Sequence, residues 1–147
     1  MRISAYVALL LAAAMLAGCG GDDGASWDGP ADPSADGTVA VDDFVQYTED
    51  VDETWEGSPA ASAAVFLRLD RERAAHTTVD ERRQGEGTGP VAVVVTLEGV
   101  FDDSVRAERW TLSFEPVDSA YRLASADWAQ ACQPGRGHQG FTPAECV

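Results

Sequence analysis

The stretch Val91-Ala92-Val93-Val94-Val95-Thr96-Leu97-Glu98 carries the strongest strand pattern in this chain of 147 residues. β-Branched residues favour extended backbone, and successive side chains of a strand point to opposite faces. One face of this strand is therefore apolar throughout, being made of Val91, Val93, Val95 and Leu97. An apolar strand face must be covered, so we expect further strands beside it and helices across it.

The segments around this strand predict a meander. Residues 106–115 form a strand whose apolar residues Trp110, Leu112 and Phe114 alternate with Arg109, Thr111 and Ser113. Residues 76–84 are expected to form an edge strand. Residues 121–131 form the last strand, which would enter the core through Tyr121 and Leu123. Short turns make consecutive strands antiparallel neighbours.

Upstream of the strands, the pattern changes to that of a helix. From Thr38, apolar residues recur at helical spacing, at Val41, Phe44, Val45, Val51 and Trp55. This spacing predicts an amphipathic helix of about four to five turns, with Thr38 as its N-cap and Gly57-Ser58-Pro59 as its end. Residues 60–74 predict a second, shorter helix.

Together these elements predict an α+β fold in which an N-terminal helix packs on a curved antiparallel meander of about three to four strands. Residues 38–147 would form this single domain. The helix-first order resembles the cystatin-like and NTF2-like folds. That resemblance implies an apolar cone between helix and sheet, in which burial would raise the pKa of an acid, and it makes Asp127 and Tyr47 candidates for such a position.

The N-terminus predicts export. Arg2 precedes an apolar run from Ile3 to Ala17, which is shorter than the ~20 residues that span a bilayer. Leu16-Ala17-Gly18-Cys19 resembles the lipobox of bacterial lipoproteins. The resemblance implies that residues 1–18 are a signal peptide, that the sulfur of Cys19 carries a diacylglycerol, and that the chain is lipid-anchored to the outer face of the cell membrane.

Between the lipobox and the domain lies an acidic segment. Residues 20–37 contain five aspartates, no arginine and one large apolar side chain, that of Trp27. Such a segment buries too little apolar surface to offset the entropy lost on ordering. We therefore expect residues 19–37 to comprise the acylated cysteine and a disordered acidic tether.

The charge of the chain narrows its partners. It has 25 acidic against 10 basic residues, a formal net charge of −15. Nucleic acids and anionic lipid headgroups attract basic surfaces, so neither is expected to bind this domain. Contact with the membrane is expected through the lipid anchor.

The three cysteines fit the lipobox. If Cys19 is acylated, Cys132 and Cys146 form an even pair, which an oxidising compartment allows to bond. The bridge would close a loop of about 15 residues and contribute roughly 3 kcal/mol. The alternative is two free thiols. With both thiols in a bridge, the two histidines, His76 and His138, leave no zinc set, and no metal or cofactor is expected.

The tail from Cys132 to Cys146 is the most distinctive segment. With the preceding strand Tyr121 to Ala126 and the stretch Gly99 to Trp110, it resembles the end of small exported bacterial domains, a family that implies no activity. Pro134-Gly135 favours a tight turn that displays Arg136 and His138. These two residues are candidates to bind a carboxylate or phosphate. The alternative is that they hold the tail in place.

No catalytic motif is present in the sequence. It contains no G-x-S-x-G, and the adjacent carboxylates Asp102 and Asp103 are far fewer than the oxygens that calcium needs. We therefore expect a membrane-anchored envelope lipoprotein whose domain binds another envelope protein or a small ligand without catalysis. The alternative is a small enzyme that uses an NTF2-like cone pocket.

Overall fold

The computed structural model describes residues 25–83, 85 and 89–147, and the lipobox with Cys19 lies outside these residues. An antiparallel sheet has the strand order β1-β5-β4-β3-β2. Its strands are β1 Thr38–Val39, β2 Ala74–Arg83, β3 Val91–Val100, β4 Val105–Val117 and β5 Ala120–Cys132. Two helices, α1 Asp42–Asp50 and α2 Pro59–Phe66, and a 3₁₀ turn at Thr54–Gly57 precede the long strands.

The α+β class and the sequential meander of β2 to β5 are confirmed, but the sheet has five strands rather than three to four. The additional strand is β1, which pairs Thr38 with Asp127 and Val39 with Ala126 at the outer edge of β5. A strand of two residues is too short to show an alternating pattern, so periodicity could not predict it.

The register of the central strands follows the predicted faces. Val91 lies opposite Phe114, Val93 opposite Leu112, and Val95 opposite Trp110. All six side chains are at most 3% exposed. Between β4 and β5 the register shifts after Ser113, so that Leu123 and Ala126 both face the core although three positions separate them. The core of the domain therefore lies between this face and the helices.

The single long helix predicted from Thr38 is wrong. The backbone of Thr38 belongs to β1, and the helix begins after Val41, which provides no side-chain cap. After nine residues α1 ends, and Val51 is extended. Glu53 and Glu56 then form a capping box that opens the 3₁₀ turn, with the Glu53 amide donating to Glu56 Oε1 at 2.9 Å.

The second helix is shorter than the predicted span of 60–74. Ser58 caps its start by accepting a hydrogen bond from the Ala61 amide, and Pro59 occupies the first turn. Shortly after the helix ends at Phe66, Arg68 takes a left-handed conformation with φ of 52°. The chain then turns back to enter β2 at Ala74.

Residues 25–37 contribute to the folded body, which differs from the predicted tether. The indole of Trp27 lies 5.0 Å from the ring of Phe44 and 5.8 Å from that of Phe66, measured between centroids. Its Nε1 donates to the Phe66 carbonyl oxygen at 2.8 Å. The packed part of the chain therefore includes Trp27, upstream of residue 38, because an indole can bury a large apolar area and still satisfy its N–H.

The two edges of the sheet are treated differently. The outer edge of β5 is covered by β1 and by Thr142 of the tail, whose backbone exchanges hydrogen bonds with Gln130 at 2.8 and 3.0 Å. The edge at β2 is open, and its side chains from Ala75 onward are exposed. Ion pairs within that strand join Arg82 to Asp80 at 2.7 Å and Arg83 to Glu81 at 2.9 Å.

Candidate functional site

The tail closes on the end of β5. Cys132 and Cys146 are joined by a disulfide, as the sequence predicted. Cys132 is fully buried, whereas Cys146 is half-buried. The guanidinium carbon of Arg109 lies 3.7 Å from the centroid of the Phe141 ring, so the two groups stack. This contact is on the face of the sheet away from the helices. The tail is thus fixed to the sheet at several points.

Arg136 and His138 both lie on this stapled tail and contact neighbouring groups of the protein. Arg136 donates to a carboxylate oxygen of Asp103 at 2.9 Å and to the Val147 carbonyl at 3.2 Å. The ring nitrogens of His138 lie 2.8 Å from the carbonyl oxygens of Gly140 and Ala144. These contacts hold the C-terminus to the tail and the tail to the β3–β4 connection.

The neighbouring carboxylates are also engaged. Asp102 accepts hydrogen bonds from the hydroxyl and the amide of Ser104, at 2.6 and 2.8 Å, which hold its pKa below the usual value. Asp103 faces Arg136. The pair therefore shapes the turn before β4 and anchors the tail, which are structural roles that short polar side chains often take in turns.

The two candidates for an acid or base in an apolar cone have different surroundings. Asp127 is exposed and lies on β5 between Thr38 and Thr111 in the register, so the prediction that it enters an apolar pocket is wrong. The β5 bulge explains this, because it reverses which positions of the strand face the helices. Tyr47, in contrast, is half-buried beside the aromatic core.

That aromatic core is a cluster of rings from the helices, the 3₁₀ turn and the segment before β1. Phe44 lies at its centre and is 1% exposed. The half-buried rings of Trp27, Tyr47 and Trp55 pack around it, with centroid distances to Phe44 of 5.0, 6.0 and 6.1 Å. The planes of Tyr47 and Trp55 are nearly parallel, at 10°, with centroids 6.3 Å apart. Aromatic faces are thereby presented at the surface of the domain.

These rings line a groove of about 600 Å³. Its walls are formed by the side chains of Trp27, Tyr47, Trp55, Ala64, Val65, Arg68, Leu69 and Asp70. Most of this lining is apolar, and the charged groups are confined to one ion pair. Small-molecule sites in proteins are typically concave, mostly apolar and about 300–1,000 Å³ in volume, with few polar groups that orient the ligand. The groove has these properties.

The ion pair at the groove is bidentate. Arg68 Nε and Nη2 each donate to a carboxylate oxygen of Asp70 at 2.8 Å, and Arg68 Nη1 donates to the Trp27 carbonyl. The hydrogen bonds from Arg68 lower the pKa of Asp70 to about 2, and the pKa of Arg68 is raised in turn. Both groups therefore stay charged over the physiological range. The left-handed turn at Arg68 aims the guanidinium back toward Trp27.

A second depression, of about 480 Å³, lies under the segment Asp28–Pro33 and has Trp110 and Trp128 among its lining residues. Its arginines face acids at long range, Arg71 to Asp28 at 4.0 Å and Arg73 to Glu108 at 3.9 Å. The residues that line the depression include at least as many acidic side chains as arginines. The depression therefore has no net positive charge that would attract an anion. It is a weaker candidate than the groove.

Sequence reasoning missed Trp27 and Arg68 as groove residues and assigned Trp55 to the core. A signal for Trp27 was present, since it is a lone tryptophan in an otherwise polar segment. Arg68 gave none, because its role depends on a left-handed turn that composition does not reveal. Arg136 and His138 lie on the loop that the disulfide closes, and their binding of a carboxylate or phosphate stays a prediction.

Comparison with family models, curated proteins and solved structures finds no match for this chain. Among the helices that the structure describes, none is both long enough and apolar enough to cross a bilayer.

Proposed function

We propose that the chain is an exported bacterial envelope lipoprotein, anchored at the outer face of the cell membrane through Cys19, whose domain binds a small amphipathic ligand in the aromatic groove. The observation that carries the binding proposal is the groove itself, with its aromatic lining and one fixed ion pair. Flat aromatic faces favour a flat apolar part of a ligand, and the Arg68–Asp70 pair favours a polar group next to it.

The distance between groove and anchor supports an amphipathic ligand. Trp27, at the groove, follows Cys19 by eight residues. Eight residues reach at most about 28 Å when fully extended. An acylated Cys19 would therefore keep the groove within about 30 Å of the bilayer surface, where amphipathic molecules concentrate. The domain carries a net negative charge, so anionic lipid headgroups would not attract it. Binding of the ligand would therefore depend on its contacts within the groove.

We also propose that the fold is related to the cystatin-like or NTF2-like folds. The support is the order of its elements, in which the helices precede an antiparallel meander. The alternative function, a small enzyme with an acid or base in an apolar cone, has lost Asp127 as a candidate, and Tyr47 lies at an open groove. The other alternative is that the domain binds an envelope protein instead of a small ligand. The test below separates the two.

The test is native mass spectrometry of the full chain purified from its original host in mild detergent. We expect an added mass that is lost on denaturation, and we expect Trp55→Ala to lose it. Phe101→Ala is the matched control, since Phe101 is 78% exposed on the β3–β4 connection and does not line the groove. A wild-type mass that does not fall on denaturation, or an adduct that Trp55→Ala retains, contradicts the groove as the binding site.

Anchoring is tested separately. Cys19→Ser should abolish labelling of the chain by a radioactive fatty acid, while Cys146→Ser should leave it unchanged. Continued labelling of Cys19→Ser would contradict the lipobox without affecting the groove.

A further inference from the structure

The strongest cluster of metal-binding side chains lies in the tail. The sulfurs of Cys132 and Cys146 and a ring nitrogen of His138 lie within 4.8 Å of one another. Two thiolates and one imidazole are a donor set found in protein zinc sites. In the oxidised chain the disulfide uses both sulfurs, so the set is closed. We propose that reduction of the Cys132–Cys146 bridge by a dithiol opens a Zn²⁺ site whose ligands are Cys132, Cys146 and His138.

The chemistry balances in two steps. In the first, the disulfide takes up two electrons and two protons to give two thiols, and the external dithiol becomes a disulfide. In the second, Zn²⁺ displaces the two thiol protons and binds both thiolates and the neutral imidazole. Three protein ligands leave the fourth tetrahedral position for water.

The backbone holds the three ligands together without the sulfur–sulfur bond. The Cys132 amide donates to the His138 carbonyl oxygen at 3.0 Å, which places these two residues side by side. Further along, Gln130 and Thr142 exchange two backbone hydrogen bonds. The Val147 amide donates to the Arg136 carbonyl oxygen at 2.8 Å. The Gln130 side chain donates to the Ala144 carbonyl at 2.8 Å. None of these contacts involves the sulfur–sulfur bond, so we expect the ligands to stay close after reduction.

The contacts of His138 include a carbonyl partner of the kind that metal-binding histidines have. Its two ring nitrogens each lie 2.8 Å from a carbonyl oxygen, Gly140 for Nδ1 and Ala144 for Nε2. A neutral imidazole has one N–H, so it can donate to one of these oxygens, and its other nitrogen carries a lone pair. Metal-binding histidines usually donate the second ring N–H to a carbonyl or carboxylate, which fixes the ring. One carbonyl can take that part here, and the nitrogen that binds Zn²⁺ must then give up its contact with the other carbonyl.

The site is also accessible and closely packed. Cys146 and His138 are half-buried, so a dithiol and a metal ion can approach from solvent. Gly137 covers the buried sulfur, since a Cβ at that position would lie 3.0 Å from Cys132 Sγ. The absence of a side chain at residue 137 leaves the room that a metal–sulfur bond of about 2.3 Å requires.

The test uses the full chain in detergent, oxidised or reduced with dithiothreitol that is then removed without oxygen. Zn²⁺ is titrated in competition with a chromophoric chelator, and Co²⁺ is used as a spectroscopic substitute. We expect the reduced chain to bind one Zn²⁺ and to give the intense thiolate-to-Co²⁺ absorption, whereas the oxidised chain does neither.

Variants separate this site from simple thiol binding. His138→Ala should weaken Zn²⁺ binding by at least about 10- to 100-fold, because it removes a ligand and changes to the groups that merely orient ligands already cost this much. His76→Ala is the matched control, because His76 lies on the exposed strand β2 and should leave the affinity unchanged. Circular dichroism of the reduced chain reports whether the sheet is retained.

Three results would overturn the proposal. The first is a reduced chain that binds Zn²⁺ no more tightly than the oxidised chain. The second is an affinity that His138→Ala does not change. The third is a reduced chain that unfolds and that Zn²⁺ does not refold.

Discussion

The indole Nε1 of Trp27 and the carbonyl oxygen of Phe66 are joined by a hydrogen bond of 2.8 Å across 39 positions of sequence. It connects the segment that precedes β1 with the last residue of α2. The Phe66 carbonyl belongs to the helix end, where acceptors lack partners within the helix. The hydrogen bond therefore satisfies a free acceptor and fixes the indole at the same time.

We expect Trp27→Ala to lower the free energy of unfolding by about 3 kcal/mol, the low end of the range for large aromatic residues because the ring is half-buried. Trp27→Phe keeps most of the packing and loses the hydrogen bond, so it should cost about 1 kcal/mol. Urea denaturation measures both. Equal stability of the two variants and the wild type would show that residue 27 belongs to a free tether.

Gly37 is expected to tolerate no side chain. Its φ is +91°, and a Cβ there would lie 2.5 Å from the backbone oxygen of Trp128. Gly135 is the matched control, with a φ of +82° and open space around it. Gly135→Ala should cost about 1–2 kcal/mol from the left-handed backbone alone. Gly37→Ala should cost at least about 1 kcal/mol more, because β1 must move off β5. Thermal unfolding would contradict this if the two variants had the same midpoint.

Removal of the bridge should destabilise the chain without changing its fold. Cys132→Ser combined with Cys146→Ser is expected to lower the free energy of unfolding by roughly 3 kcal/mol, the value for a closed loop of about 15 residues. The reduced wild type in the absence of metal should show the same loss. Guanidinium denaturation measures the difference, and a stability equal to that of the oxidised chain would contradict it.

Because of the Arg68–Asp70 pair, we expect the stability of the folded chain to fall at acidic pH. The pKa of Asp70 is about 2 in the folded chain, against an ordinary value of 3.8. A carboxyl whose folded pKa is depressed stabilises the folded state above its unfolded pKa, so this contribution is lost as the pH falls from 3.8 toward 2. Arg68→Gln should return the pKa of Asp70 toward 3.8, measured by NMR titration of the carboxyl carbon.

Arg71→Gln is the control for this titration, because Arg71 makes the smallest contribution among the causes that lower the pKa of Asp70. We expect only a small change in that variant. A pKa near 2 that persists in Arg68→Gln would show that another group stabilises the carboxylate.

Binding in the proposed groove can be tested with a fluorescent probe. Anilinonaphthalene sulfonate has flat apolar rings and an anionic group, so it should bind between the aromatic walls near Arg68. We expect Trp55→Ala to weaken its binding about tenfold, which corresponds to roughly 1.4 kcal/mol, a typical contribution of one aromatic contact. Phe101→Ala should match the wild type in the same fluorescence titration. Equal affinities of all three would place the probe elsewhere.

The long-range packing of the sheet could be predicted from the sequence because alternation is a local signal. Val93 and Leu112 face each other since each belongs to a long apolar face. The bridge between Cys132 and Cys146 could also be predicted, from cysteine parity. The extent of α1 could not, because Thr38 reads as a helix cap although it belongs to β1 and lies opposite Asp127 of β5. Tertiary pairing overrode a local preference at that position.

The groove could not be predicted for a different reason. It depends on Trp27 and Tyr47 meeting across a turn of the chain, and on the conformation of Arg68. Sequence spacing carries no information about such a meeting. Asp127 shows the same limit, since one additional residue in β5 decides which face a strand position occupies.

The coverage of β5 by β1 and Thr142 limits how copies of the folded chain can assemble. In the part of the chain that the structure describes, β2 is the open edge of the sheet. Two copies that join through β2 would use the open edge of each, so no third copy could add by backbone pairing. Growth of this kind ends at a pair, whereas a fibril needs two free edges on every copy. The short strand β1 and the tail thus act as terminators of polymerisation.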